Sequence, residues 1–238
     1  MSLADKENLL RELSLLLPDT RLITPTSKEY ESLRDTYIAN NPSIPLAITR
    51  PRSAAEVAQI VTHAGNLNVP IVVRSGGHDL FGRSMVEGAL TVDMRDISHV
   101  EITADRQSAK IGGGILAGTL INELEKHGLV TTFGAVPSVG WIGWATLGGY
   151  GLLSSKFGLG VDQILAAKIV NAHGYIVVAN PEELRGIRGA GGNFGIIVEL
   201  QIKTYALDKV WDFLYTTVTT YESIGLPSNQ GALWTHCL

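Results

Sequence analysis

Cysteine is almost absent from this chain of 238 residues, with Cys237 the only one. One thiol cannot close an intramolecular disulfide, so nothing argues for an oxidising compartment. It also leaves no C-x-x-C pair, and the histidines at 63, 78, 99, 127, 173 and 236 show neither H-E-x-x-H nor H-x-H spacing. No metal site is expected. Basic clusters are missing as well: 19 Lys and Arg stand against 23 Asp and Glu, a net charge of −4 without any basic run. A nucleic-acid partner would leave a basic patch, so none is expected. No apolar stretch reaches the length of a transmembrane helix. Asp5, Lys6, Glu7, Arg11 and Glu12 leave no room for the apolar core of a signal peptide. The expectation is a cytoplasmic chain without a membrane partner. Finally, no Gly-Lys dipeptide occurs, which excludes a Walker A loop.

Glycine, by contrast, is abundant. The chain has 26 glycines, where average usage of about 7% gives roughly 17. The excess gathers in three segments: Gly76-Gly77, Gly134 to Gly151, and Gly189 to Gly195. The first lies in Arg74-Ser75-Gly76-Gly77-His78-Asp79, directly after the apolar run Pro70-Ile71-Val72-Val73. Paired glycines let the backbone turn tightly and approach a ligand, and the amides of such a turn form a concave nest that suits phosphate. Three separated cradles point to one long, phosphate-bearing cofactor, with His78 placed to reach it.

The pattern along the chain mixes helices with strands in immediate succession, which predicts an α+β fold. Leucines at 3, 9, 10, 13, 15, 16 and 17 among charges suit an amphipathic N-terminal helix. Ser53-Ala54-Ala55-Glu56 reads as a capping box, and Val57, Ile60, Val61 and Ala64 then follow helical spacing. Val69 to Val73 is apolar at every position, as in a strand buried on both faces. Strands are expected at 89–93, 99–103 and 108–112, a helix through Leu116, Leu120, Ile121 and Leu124, and a hairpin of 164–171 with 175–179. A strand at 196–205 alternates Val198, Leu200, Ile202 and Thr204 with polar residues.

Several motifs have competing explanations. Gly112-Gly113-Gly114-Ile115-Leu116-Ala117 fits G-x-G-x-x-A, but the acidic residue that a dinucleotide fingerprint needs about 20 positions on is replaced by Thr131 and Thr132. A glycine turn packed on a neighbouring loop, or a different cofactor, explains it better. Val136-Pro137-Ser138-Val139-Gly140 ends like a nucleophile elbow but lacks the first glycine. Trp141 and Trp144 suit packing more than substrate stacking. Arg188 suits a phosphate contact or a surface salt bridge equally well.

Taken in order, the segments 51–57, 73–78, Gly82-Arg83-Ser84, Val92-Asp93-Met94, 148–151, Gly158-Leu159-Gly160-Val161-Asp162 and 188–195 resemble one family. It is the FAD-binding domain of the vanillyl-alcohol oxidase and p-cresol methylhydroxylase superfamily. Within it the chain is most similar to fungal berberine-bridge-enzyme-like and 6-hydroxy-D-nicotine-oxidase-like proteins. The resemblance runs from about residue 40 to 207 and implies two α+β subdomains with FAD between them. It divides the chain into an N-terminal helical segment (1–39), the FAD-binding domain (40–207) and a divergent tail (208–238).

The resemblance also implies residue roles. His78 matches the histidine that bonds covalently to the flavin 8α carbon. Arg74, Ser75, Gly76, Gly77 and Ser84 lie on the pyrophosphate side. Pro137, Val139, Gly140, Gly143, Thr146 and Gly149 pass the flavin and ribityl chain, and Gly192, Asn193, Ile196 and Val198 lie near the FAD. Bicovalent relatives carry a cysteine before P-S-V-G, whereas this chain reads Gly134-Ala135-Val136-Pro137, which leaves only the histidyl bond. Family enzymes are about twice as long, and their second half supplies the substrate pocket and usually the catalytic base. The catalytic residues are therefore not assigned. The implied activity is hydride transfer from a small organic, secondary-metabolite substrate to covalent flavin, with reoxidation by oxygen. The alternative is a flavin-binding remnant or non-redox scaffold, and self-association or a partner chain would cover the open flavin face.

Overall fold

The computed structural model describes residues 3–18, 20–38 and 41–208. Helix α1 (Leu3–Leu16), strand β1 (Arg21–Ile23), helix α2 (Tyr30–Arg34), strand β2 (Ala47–Arg50), helix α3 (Ala54–Asn66), and strands β3 (Ile71–Arg74) and β4 (Leu90–Asp93) build the first subdomain. Its sheet has the order β1-β2-β4-β3. Strands β2, β4 and β3 run parallel and β1 is antiparallel to β2. A parallel arrangement needs crossovers, and α3 is the crossover from β2 to β3.

Helix α3 forms where its sequence predicts. Ser53 is extended and its side chain accepts from the Glu56 amide, while Val57, Ile60, Val61 and Ala64 are buried. The Glu56 carboxylate accepts from the Arg52 amide, one residue before the position of a strict capping box. Ser53→Ala removes the acceptor and is expected to lower stability by about 1 kcal/mol, read as a shifted urea midpoint with an unchanged slope.

The second subdomain follows: β5 (Val100–Ile102), β6 (Ser108–Gly112), α4 (Ala117–Glu125), β7 (Leu129–Val130), α5 (Trp141–Thr146), α6 (Ser154–Phe157), α7 (Gly160–Gln163), β8 (Ile164–Val170), β9 (Ile176–Val178), α8 (Pro181–Ala190), β10 (Ile196–Lys203) and β11 (Tyr205–Ala206). Its main sheet, β5-β6-β10-β8-β9, is antiparallel throughout, and β7 pairs with β11. The expected hairpin is present, with Val170 opposite Ile176. Along β10, Leu200 and Ile202 are buried and Gln201 and Lys203 half-buried.

One core packs α4, α5 and α8 on this sheet through Ile111, Leu120, Leu124, Trp141, Ile164, Ile187 and Leu200. The other gathers Leu13, Val57, Ile60, Leu90 and Val92 with Val170, Ile196 and Val198 of the second sheet. Helix α3 therefore forms a seam between both sheets, and full burial of each such Leu or Ile contributes about 1.5–3 kcal/mol. The α+β class and the two subdomains agree with expectation. Within the N-terminal segment 1–39, β1 joins the first sheet, and Leu13 and Leu17 join its core. Apart from Asp208, the expected tail lies outside the described residues.

One strand-level expectation changes. β3 is the edge strand of its sheet, so Val73 is 44% exposed rather than buried on both faces. The triplet Gly112–Gly114 is a packing device. A Cβ at Gly114 would lie 1.7 Å from the Met94 carbonyl oxygen and one at Gly113 would lie 2.1 Å from that of Ile197.

Candidate functional site

The C-terminal ends of the parallel strands deliver Arg50, Asp93 and Arg74 side by side. Asp93 is fully buried and takes a two-pronged ion pair from Arg95, with contacts of 2.6–3.1 Å. Arg74 is buried too, and its guanidinium donates to the carbonyls of Leu33 and Asp35. Burial pulls its pKa down to about 10, with the Arg95 cation acting in the same direction. Arg74 thus ties down the turn after α2 and supports the site from behind, rather than offering its charge to an open cradle.

Beyond Arg74 the chain turns through Ser75, Gly76, Gly77 and His78. Gly77 takes φ +72°, a conformation that favours glycine. Gly76 lies directly against the 138–140 loop: a Cβ there would be 2.4 Å from the Ser138 carbonyl oxygen and 2.5 Å from the Gly140 nitrogen. Gly140 is constrained reciprocally, since its Cβ would meet Ser75 Oγ at 2.4 Å. That loop is fixed from the other side by Ala117 N donating to the Val139 carbonyl, Gly118 N to that of Pro137, and Trp141 N to that of Ile115. Two backbone segments 60 residues apart are thereby held in van der Waals contact. Among the described residues no protein acceptor meets the amides of Gly76, Gly77 or His78. Consecutive unpaired amides beside a rigid glycine turn form the kind of nest that takes phosphate oxygens.

His78 is half-buried at this turn, and burial holds its imidazole below the usual histidine pKa. Nε2 lies 2.9 Å from Ser138 Oγ. The Tyr37 ring stacks on the imidazole with centroids 4.6 Å apart and planes 21° from parallel. Asp79 next to it is bound by Arg83, whose hydrogen bonds hold the carboxyl below its ordinary range. The Ser138–His78 distance also suits a nucleophile and base. A triad needs a third group on the far nitrogen, and no carboxylate bonds Nδ1 among the described residues. Ser84 follows in the same loop, buried with no partner for its Oγ. An orphaned hydroxyl there fits a polar group supplied from outside the chain.

The other expected residues spread along α5 and beyond. Pro137 is exposed and Val139 half-buried beside the nest. Gly143 is exposed with open space around it. Thr146 is buried and donates to the Ile142 carbonyl within its own helix. Gly149, at φ +75°, packs on Gly160 and Ala145. Helix α5 carries the line to the third glycine segment, where a Cβ on Gly191 would sit 3.4 Å from Thr146 Oγ1. Gly192 and Asn193 are exposed in the turn that follows, and Asn193 donates to the Ala190 carbonyl at 2.8 Å. Ile196 and Val198 pack into the core around α3, and the Val198 carbonyl accepts from the Gly113 amide.

Sequence reasoning missed Tyr37 and the Ser138–His78 bond. Ser138 lies within the recognised P-S-V-G, whereas Tyr37 precedes every matched segment and carries no local signal. Trp141 is fully buried, with its indole donating to Thr132, so packing is its role. Arg188 donates to the Ile164 carbonyl, taking neither of the expected parts. No cluster of three or more potential ligands could hold a metal among the described residues, and no helix among them is long and apolar enough to cross a membrane.

Comparison with known proteins gives the arrangement its context. The FAD binding domain family matches residues 45–180. The FAD-linked oxidoreductase aurO of Gibberella zeae is 42% identical over 84% of this chain and 40% of its own length. The (R)-6-hydroxynicotine oxidase of Paenarthrobacter nicotinovorans is 34% identical over 79% of this chain and 42% of its own. Among solved structures, 6-hydroxy-D-nicotine oxidase from Arthrobacter nicotinovorans superposes with a TM-score of 0.76 at 33% identity, covering 79% of this chain and 42% of that one. Physcomitrella patens BBE-like 1 gives 0.77 at 30% identity, covering 84% and 44%. The chain spans about two fifths of the length of these relatives. With the family matched over more than half of the chain and a berberine-bridge-like fold beneath the glycine nest, the chain belongs to the FAD binding domain family.

Proposed function

We propose that this chain is the flavin-holding part of an FAD-linked oxidoreductase acting on a small organic substrate, with His78 as the covalent anchor. The observation that carries this reading is the nest itself: unpaired amides at 76–78, locked against the 138–140 loop, with a half-buried imidazole at its edge. When bound, FAD supplies the redox chemistry, taking a hydride from substrate and passing the electrons to dioxygen.

The residues present suit that group. The amides of Gly76, Gly77 and His78 would face the pyrophosphate, and the Ser84 hydroxyl would gain the partner it lacks. The 137–149 stretch would run along the ribityl chain and ring, and Gly192 and Asn193 would border the same cofactor. Arg74, engaged with Leu33 and Asp35, would act by fixing the nest's shape. His78, held neutral by burial, keeps a nitrogen lone pair for bonding to the flavin.

A second reading is that this chain holds FAD without turning substrate over. One experiment addresses both. The purified chain is expected to show flavin absorption at about 370 and 450 nm and a yellow pellet after acid precipitation. An oxidase assay against small amines, alcohols and sugars then separates turnover from holding alone. A colourless protein that takes up no added FAD would defeat both readings.

A further inference from the structure

His78 is held by two groups that are not themselves expected to touch the flavin's pyrophosphate. The Tyr37 ring lies nearly parallel to the imidazole, and the Tyr37 amide donates to the Gly77 carbonyl at 3.0 Å. Ring and backbone of one residue therefore brace both the imidazole and the turn that carries it. At the ring's edge, Ser138 Oγ lies 2.9 Å from Nε2. Ser138 cannot drift, because the 138–140 backbone is locked against Gly76 and pinned to α4. Nδ1 has no partner among the described residues.

We propose that Tyr37 and Ser138 are positioning residues for flavin attachment: the tyrosine sets the plane of His78, and the serine hydroxyl accepts Nε2–H, leaving Nδ1 as the nitrogen with the free lone pair. This rests on the covalent reading above. A neutral imidazole has one protonated and one basic nitrogen; a hydroxyl can donate or accept, and a Ser138 hydroxyl that accepts at Nε2 selects the Nε2–H tautomer. The net step joins the ring nitrogen to the flavin 8α carbon. One C–H bond of the 8α methyl and one imidazole N–H bond are broken. Two electrons enter the flavin and are returned to dioxygen, which leaves as hydrogen peroxide with both hydrogens. The proton that must depart is the one that Ser138 Oγ holds. Restricting the ring to one plane and one tautomer removes orientations that cannot react, the source of rate in an intramolecular reaction.

Two measurements on the whole chain test this. Nitrogen-15 NMR of histidine-labelled protein without flavin is expected to show His78 as the Nε2–H tautomer. Ser138→Ala is expected to show a mixture. In parallel, the chain is incubated with FAD in air and acid-stable flavin is followed against total bound flavin. Ser138→Ala and Tyr37→Leu are expected to bind FAD yet to attach it about tenfold more slowly, while Ser138→Thr and Tyr37→Phe recover most of the rate. An Nδ1–H tautomer in the parent chain, or attachment at the parent rate in Ser138→Ala and Tyr37→Leu, overturns the positioning role alone. Flavin that binds the parent chain but stays wholly dissociable overturns the covalent reading, and the positioning role with it.

Discussion

Gly76→Ala is expected to produce a destabilised chain that no longer holds flavin. The added Cβ would stand 2.4 Å from the Ser138 carbonyl oxygen and 2.5 Å from the Gly140 nitrogen. Both are backbone atoms, so no rotamer change relieves the clash. The turn or the 138–140 loop must move, and the loop is pinned by hydrogen bonds from Ala117, Gly118 and Trp141. Overpacking of this kind costs about 1–3 kcal/mol, but the functional loss should exceed the loss of stability. Separating the two segments opens the nest and displaces Ser138 from His78. Urea denaturation measures the first effect and FAD titration the second. Gly65→Ala in the last turn of α3 is the matched control. Nothing lies within 4 Å of its new Cβ, and alanine favours helix by about 1 kcal/mol over glycine. A Gly76→Ala chain that bound FAD like the parent would show that the nest is not the cofactor's cradle.

Much of this arrangement was legible in the sequence because local rules and packing agreed. The strand at 108–112, the 164–170/176–178 hairpin and the capped α3 all carry strong periodicity and turn chemistry. The nest was legible from the glycines at 76 and 77. Less legible were features decided across the sheet. Val73 is apolar yet half-exposed because β3 is an edge strand, and strand order is not written in one strand's composition. Strands β1 and β2 have three and four residues, too short for a period to declare itself. Helix α8 has a readable start, since Asn180 and Glu183 form a capping box around Pro181 in the first turn. Within the site, the roles of Arg74 and Arg188 could not be read locally. Each guanidinium bonds backbone carbonyls distant in sequence, at Leu33 and Asp35 and at Ile164. Tyr37 reaches His78 from 41 positions earlier for the same reason: stacking records proximity in the fold, not spacing in the chain.

His78→Ala is expected to remove acid-stable flavin completely while leaving FAD that dissociates on denaturation. The amides of 76–78 belong to the backbone, so the nest survives the substitution with weakened rather than abolished affinity. No other imidazole and no thiol is built into the turn, and the 134–137 segment has no cysteine. Retention of acid-stable flavin in the variant would place the anchor elsewhere. The pH dependence of attachment in the parent chain gives an independent check on the same residue. Burial lowers the His78 pKa, so the neutral, lone-pair-bearing form persists throughout the range above the ordinary histidine value of about 6.5. Attachment should therefore fall with decreasing pH along a titration whose midpoint lies below that value. A midpoint above it would mean a raised pKa, the signature of an imidazolium stabilised by a nearby carboxylate. The structure argues against that arrangement, because the adjacent Asp79 is already engaged by Arg83 and the loop facing His78, Val136 to Gly140, carries no charge.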